Sequence, residues 1–214
     1  MSYILNNPEI VGRLLLQHIA VTVAALLIAS AIALPLGWLL DRYRALRTPV
    51  LGVLGLAYTI PSIALMIMLI PILGLSQRSV LAALVLYSQI ILVRNVLVGL
   101  GTISPTTLEV ARAMGMNALQ LAWRVQLPLA LPIILAGIRV AAVAVIAIAT
   151  VGARFGAGGL GVLMFEGIAQ AGRYDKIVAG GVTVGLFALL VSAGLRLAER
   201  AVRRTDIASA GLPI

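Results

Sequence analysis

SPTTLEVARAMGMNALQLAWRVQLPLALP, Ser104 to Pro132, is the one long stretch between apolar blocks that reads as both structured and partly polar. Ser104 is suited to cap a first turn, and Pro105 fits the first helical position, where a missing N–H costs nothing. Thr106 to Met114 then makes a short helix, roughly 15 Å long. Gly115 ends it as the residue that tolerates a left-handed backbone. Asn117 with Gln120 three residues on predicts a second N-cap and a helix through Val125. Pro128 and Pro132 mark the return to apolar sequence. The stretch predicts a helix–turn–helix elbow held between two hydrophobic segments.

What surrounds the elbow sets the class. The 214 residues are 62% hydrophobic and only 11% charged, with a mean hydropathy of +1.12. A soluble domain carries about 25% charged residues, so the chain is an integral membrane protein. The net charge of +9 would suggest nucleic acid in a soluble protein. Here the charges flank apolar blocks, where membrane topology accounts for them and nucleic acid is not expected. There is no Cys, which removes disulfides, thiolate metal sites and thiol nucleophiles. No cleavable leader is expected, since the first apolar block is too long for a signal core.

Five blocks are long enough to cross a bilayer of about 30 Å. A polar lead, 1–13, precedes the first, Leu14 to Leu40. DRYRALRTP (Asp41 to Pro49) joins it to the second, Val50 to Leu75, where Pro61 and Pro71 predict a kink facing protein. LSQRS is a short turn before the third, Val80 to Ile103. The fourth, Leu129 to Val151, follows the elbow. A Gly-rich polar stretch, Gly152 to Lys176, leads to the fifth, Ile177 to Leu197, and a basic tail. Gly181 and Gly185 have the G-x-x-x-G spacing that lets helices pack closely. His18 and Gln17 sit at the entry of the first block, where an interfacial, solvated His is expected.

Five crossings put the termini on opposite sides. Arg42, Arg44, Arg47, Arg112, Arg124, Arg196, Arg200, Arg203 and Arg204 share one side. Arg13, Arg78, Arg154, Arg173 and Lys176 share the other. The positive-inside bias predicts an outer N-terminus and a cytoplasmic elbow and C-terminus.

The elbow's first helix offers Glu109 and Arg112, with small Ala111 and Ala113 permitting close approach. Small residues flanked by charge suit docking into a partner's groove. Glu109, Ala111 and Gly115, then Val125, Leu127 and Pro128, resemble the EAA loop of bacterial ABC importer permeases. Glu-Val-Ala replaces the family's usual Glu-Ala-Ala, and Val125 its usual Ile. The resemblance covers about residues 13 to 200. It implies an all-α permease domain (14–197) of type I fold, a coupling loop at 104–128 and a tail at 198–214. It also implies an ATPase-coupling role for Glu109, Ala111, Arg112, Gly115 and Pro128. TIPSIAL (Thr59 to Leu65), LVRNVLVGL (Leu92 to Leu100), LPIILAGIRVA (Leu131 to Ala141) and FGAGGLG (Phe155 to Gly161) are similar to permeases for glycine betaine, choline, carnitine or proline betaine. Implied partners are membrane lipid, cytoplasmic ATPase subunits, a second permease copy or paralogue, and an external substrate-binding protein.

Gly156, Gly158 and Gly161 formally satisfy G-x-G-x-x-G, with Asp175 further on. A dinucleotide site needs a preceding strand and a βαβ unit; a spanning block precedes this one, so a tight outer turn is expected. No Walker A sequence is present, and the single Lys, Lys176, lacks the required glycines. No cofactor or catalysis is therefore expected on this chain, and ATP and Mg belong to the partner ATPase. Inside the apolar blocks, Arg94 and Arg139 are costly and mark an anchor, gate or pathway. Snorkelling, or pairing with backbone carbonyls and Asn95, would satisfy them. Pro61, Tyr87 and Asn95 complete the candidate pathway residues. A channel or gradient-driven carrier is the rival class, and an amino-acid or methionine permease the rival cargo.

Overall fold

The computed structural model of the chain describes residues 2–209, with side chains for 3–202. Every regular element among the described residues is helical. α1 (Ser2–Asn6) is a short helix leading through Asn7 into α2 (Pro8–Arg42). The helix therefore starts before Leu14. Pro8 is pre-set for a first helical turn, and Glu9 sits where the helix N-terminus favours an acid. The far end of α2 is closed by Arg47, which donates to the Leu40 carbonyl at 2.9 Å and pairs with Asp41.

The second apolar block is broken rather than kinked. α3 (Arg47–Thr59) and α4 (Ser62–Leu73) meet at 97°. Pro61 has no N–H to give, and its ring excludes the helical conformation from the residue before it. Ile60 (φ −65°, ψ 126°) and Pro61 (φ −54°, ψ 137°) are both extended. Pro61 is exposed on the surface of this chain rather than turned against its other helices. Neither half, at 13 and 12 residues, reaches across hydrocarbon alone, each being roughly 20 Å long.

α5 (Gln77–Gly101) follows, then the elbow with α6 (Pro105–Ala113) and α7 (Ala118–Leu121). A π-helical segment, Ala122–Gln126, joins α7 directly to α8 (Leu127–Gly152). The elbow's second helix is therefore the beginning of the fourth span, not a separate surface helix. Proline at the start of α8 does not interrupt it. α9 (Gly161–Ala169) and α10 (Tyr174–Ser209) complete the chain. Four helical runs are long and apolar enough to cross a membrane, and five when the bent pair counts as one broken span.

α5 is the central helix, packed between α2 and α8, with α3 and α4 also against it; α8 in turn packs on α10. Small residues set these crossings, as expected where lipid removes the hydrophobic drive between helices. A Cβ on Gly37 of α2 would lie 2.5 Å from Val96 of α5, and one on Gly137 of α8 would lie 2.4 Å from Asn95. Among the described residues Gly181 and Gly185 pack against no other helix of this chain, while a Cβ on neighbouring Gly180 would meet Met164 and the Leu160 carbonyl.

The Gly-rich stretch forms a turn with left-handed Gly156, Gly158 and Gly159, then α9. The Gly159 N–H donates to Gln17 Oε1 at 3.1 Å, fastening the turn to α2. His18 is buried, not solvated. Its Nε2 lies 3.2 Å from the Ile146 carbonyl, and its ring meets Phe187 edge-on at 5.9 Å.

Candidate functional site

The elbow is built by local chemistry. Ser104 Oγ accepts from the Thr107 N–H at 3.1 Å, capping α6, and Pro105 occupies the first turn. At the other end the Met114 N–H returns to the Val110 carbonyl, and the Gly115 N–H to that of Arg112. Gly115 has φ +80°, a conformation in which a Cβ is penalised. Asn117 and Gln120 make a reciprocal capping box, each backbone N–H bonded to the other's side chain at 2.9 Å. The short chain from Met114 to Asn117 is thus fixed at both ends.

Of the elbow residues singled out, Glu109 and Arg112 are exposed, whereas Ala111 is buried. The outer surface of α6 is completed by exposed Val110, Ala113 and Met114, the last two on either side of the helix end. Among the described residues Glu109 forms no ion pair. Ala111 keeps α6 close to its own chain, so the face available to a partner combines one acid, one base and apolar atoms. Pro128 is exposed at the first turn of α8.

Behind the elbow, Trp38 Nε1 donates to Gln126 Oε1 at 3.1 Å, tying α2 to the π-helical segment. Neither residue was singled out from sequence. The only available signal was a polar Gln126 beside apolar Leu127, and a π segment has no short sequence signature. The bond holds the start of the fourth span against α2, directly behind the elbow.

The candidate pathway residues fall in two groups. Tyr87 is 7% exposed, and its hydroxyl has no hydrogen-bond partner among the described residues. Its ring lies 5.5 Å from that of Tyr58, tilted by 58°. Tyr58 is on α3, just before the break at Pro61, and is exposed. Gln89, two residues on, donates to the Ala29 and Val85 carbonyls at 3.3 Å, leaving its Oε1 without a partner.

The second group is structural in geometry. Asn95 donates back to the Ile91 carbonyl at 2.8 Å and fills the space left by Gly137. It does not serve Arg139. Arg139 instead meets Glu199 of α10, Nε to Oε2 at 3.7 Å. That acid was missed because α10 continues past Leu197. Arg94 is exposed and has no hydrogen bond or ion pair among the described residues.

The described residues are thus all-helical, with a broken second span and a capped elbow between the third and fourth spans. Residues 29–204 match the binding-protein-dependent transport system inner membrane component family. The chain belongs to that family. It is 37% identical over 196 residues to the osmoprotectant import permease protein OsmW of Salmonella typhimurium, covering 89% of this chain and 91% of that one. It is 36% identical over 192 residues to the carnitine transport permease protein OpuCB of Listeria monocytogenes, covering 87% and 88%. The glycine betaine/carnitine/choline permease protein OpuCD of Bacillus subtilis is 35% identical, covering 94% and 88%. Among solved structures, an inward-facing MetNI methionine ABC transporter gives a TM-score of 0.82 at 23% identity, covering 91% of this chain and 96% of that one. This likeness establishes the type I ABC importer permease fold. The chain is a transport subunit of the inner membrane, in a family that works with a binding protein.

Proposed function

We propose that the chain is the permease of an ABC importer for a quaternary-ammonium or betaine osmoprotectant: glycine betaine, choline, carnitine or proline betaine. One observation carries the cargo. Relatives at 32–37% identity, matched over 84–91% of their own length, bear osmoprotectant, carnitine, choline or glycine betaine names. The likeness to the methionine transporter, at 23% identity, supports a shared fold and no shared cargo.

The proposed assembly is two permease chains, two cytoplasmic ATPase subunits and an external binding protein. The N-terminus lies outside, with the elbow and C-terminus in the cytoplasm, as the arginine bias favours. The exposed face of α6 around Glu109 inserts into a cleft on the ATPase, with Arg112 at the edge of that face toward α2. Closure of the ATPases then moves α6 and the connected α7–α8 rod as a rigid body, switching the pathway outward; hydrolysis resets it inward. Catalysis stays on the ATPase, and this chain supplies no residue to it.

The test is uptake of radiolabelled glycine betaine by the complete complex in vesicles, with unlabelled choline and methionine as competitors. Competition by choline and none by methionine is expected. Betaine uptake that methionine suppresses and choline leaves unchanged overturns the cargo.

A further inference from the structure

Two cavities lie side by side at the end of α2 that adjoins the elbow. The deeper one, about 490 Å³, is walled by apolar side chains including Leu34, Pro35, Trp123 and Ile134. The outer one, about 440 Å³, is walled by Asp41, Arg42, Arg44 and Arg112. Trp38 and Gln126 line both, and their hydrogen bond forms the sill between them.

We propose that the paired cavities are a binding site for one anionic phospholipid, with acyl chain in the deeper cavity and phosphate among the arginines. The order of side chains along α2 repeats the order of groups along a lipid. Leu34 and Pro35 come first, Trp38 one turn on, and Arg42 one further turn on, each turn rising about 5.4 Å. The opposite wall repeats it, from Ile134 through Trp123 and Gln126 to Arg112. Both tryptophans of the chain border the apolar cavity, and tryptophan concentrates at the headgroup level of membranes.

Charge decides which lipid. The one acid in the outer cavity, Asp41, is paired with Arg47. Arg42, Arg44 and Arg112 are exposed, and none has an ion pair among the described residues. Three cations around a cavity that adjoins an apolar one suit a lipid phosphate with net negative charge, and give a zwitterionic headgroup no advantage. The site also touches the elbow through Leu108, Arg112 and Met116, so a bound lipid braces α6 against α2.

The test is native mass spectrometry of the complete transporter complex, purified in detergent and offered equal phosphatidylglycerol and phosphatidylcholine. The wild-type complex is expected to retain phosphatidylglycerol preferentially. Arg42→Gln with Arg44→Gln is expected to lower that retention roughly tenfold or more. Leu34→Trp, which fills the apolar cavity and leaves the arginines in place, is expected to lower it as well. Arg173→Gln, on the other side of the chain, serves as control and should change nothing. Equal retention of the two lipids by wild type overturns the proposal. So does undiminished phosphatidylglycerol in the Arg42/Arg44 double variant, whose exposed positions leave folding intact.

Discussion

Arg139 of α8 and Glu199 of α10 face each other at 3.7 Å, Nε to Oε2, with side chains 32% and 15% exposed. Arg139 Nε is itself buried and makes no hydrogen bond, so the contact is one of charge rather than of hydrogen-bond geometry. Removing the Glu199 charge leaves the Arg139 guanidinium half-buried without its acid. Glu199→Gln is expected to destabilise the chain by about 1–2 kcal/mol, after discounting for exposure. Thermal unfolding of the purified protein in detergent measures this. Replacing both residues with Met and Leu should recover most of the loss, because apolar packing substitutes for such a pair.

That pair marks a limit of sequence reading. The elbow was legible because its chemistry is local: Ser104, Pro105, Gly115 and the Asn117–Gln120 box each act within four residues. The break at Pro61 was legible as a position, since Pro constrains its own backbone and the residue before it. Its 97° angle was not, because packing of α4 on α5 fixes it. Arg139 signalled a need for a partner, but Glu199 lies sixty residues on and past the end of the apolar block. Pro128 looked like a boundary. The π-helical segment before it shifts the hydrogen-bond register there, and α8 runs on without a break. The expected basic tail includes Arg203 and Arg204, whose side chains lie outside those described.

Gly115 offers a clean test of the elbow. Its φ is +80° and a Cβ there would meet nothing within 4 Å, so substitution acts through the backbone alone. Gly115→Val is expected to cost about 1–2 kcal/mol locally, or to release the strain by re-aiming α6. Gly115→Asn, which tolerates left-handed backbone, should be milder. Betaine uptake by the complete complex should fall at least tenfold for Val and less for Asn, while membrane levels of both remain normal. Equal uptake by wild type and the Val variant contradicts a coupling role for the turn at Gly115.

The α5–α8 crossing rests on Gly137 against Asn95. A Cβ at Gly137 would lie 2.4 Å from Asn95 Cβ, so Gly137→Ala forces the helices apart. The expected cost is about 1–3 kcal/mol, read as a lower unfolding temperature. Asn95→Ala cannot relieve this, because it keeps the offending Cβ. Asn95→Gly can, and the Gly137→Ala, Asn95→Gly double variant should be more stable than Gly137→Ala alone. If Asn95→Gly does not improve it, the crossing is not limited by this contact.

Tyr87 separates packing from use. Its hydroxyl is buried without a partner, and a buried hydroxyl left unbonded opposes folding. Tyr87→Phe keeps the ring, and with it the contact to Tyr58 at 5.5 Å. On packing grounds alone the variant should be as stable as wild type or up to about 1 kcal/mol more so. Unchanged uptake with that gain makes Tyr87 a core residue. If the hydroxyl instead meets the cargo or the second permease chain during transport, uptake falls while stability holds or rises. We expect this second pattern, because Tyr58 beside it is exposed at the broken span and leaves the pair open to whatever lies against that surface.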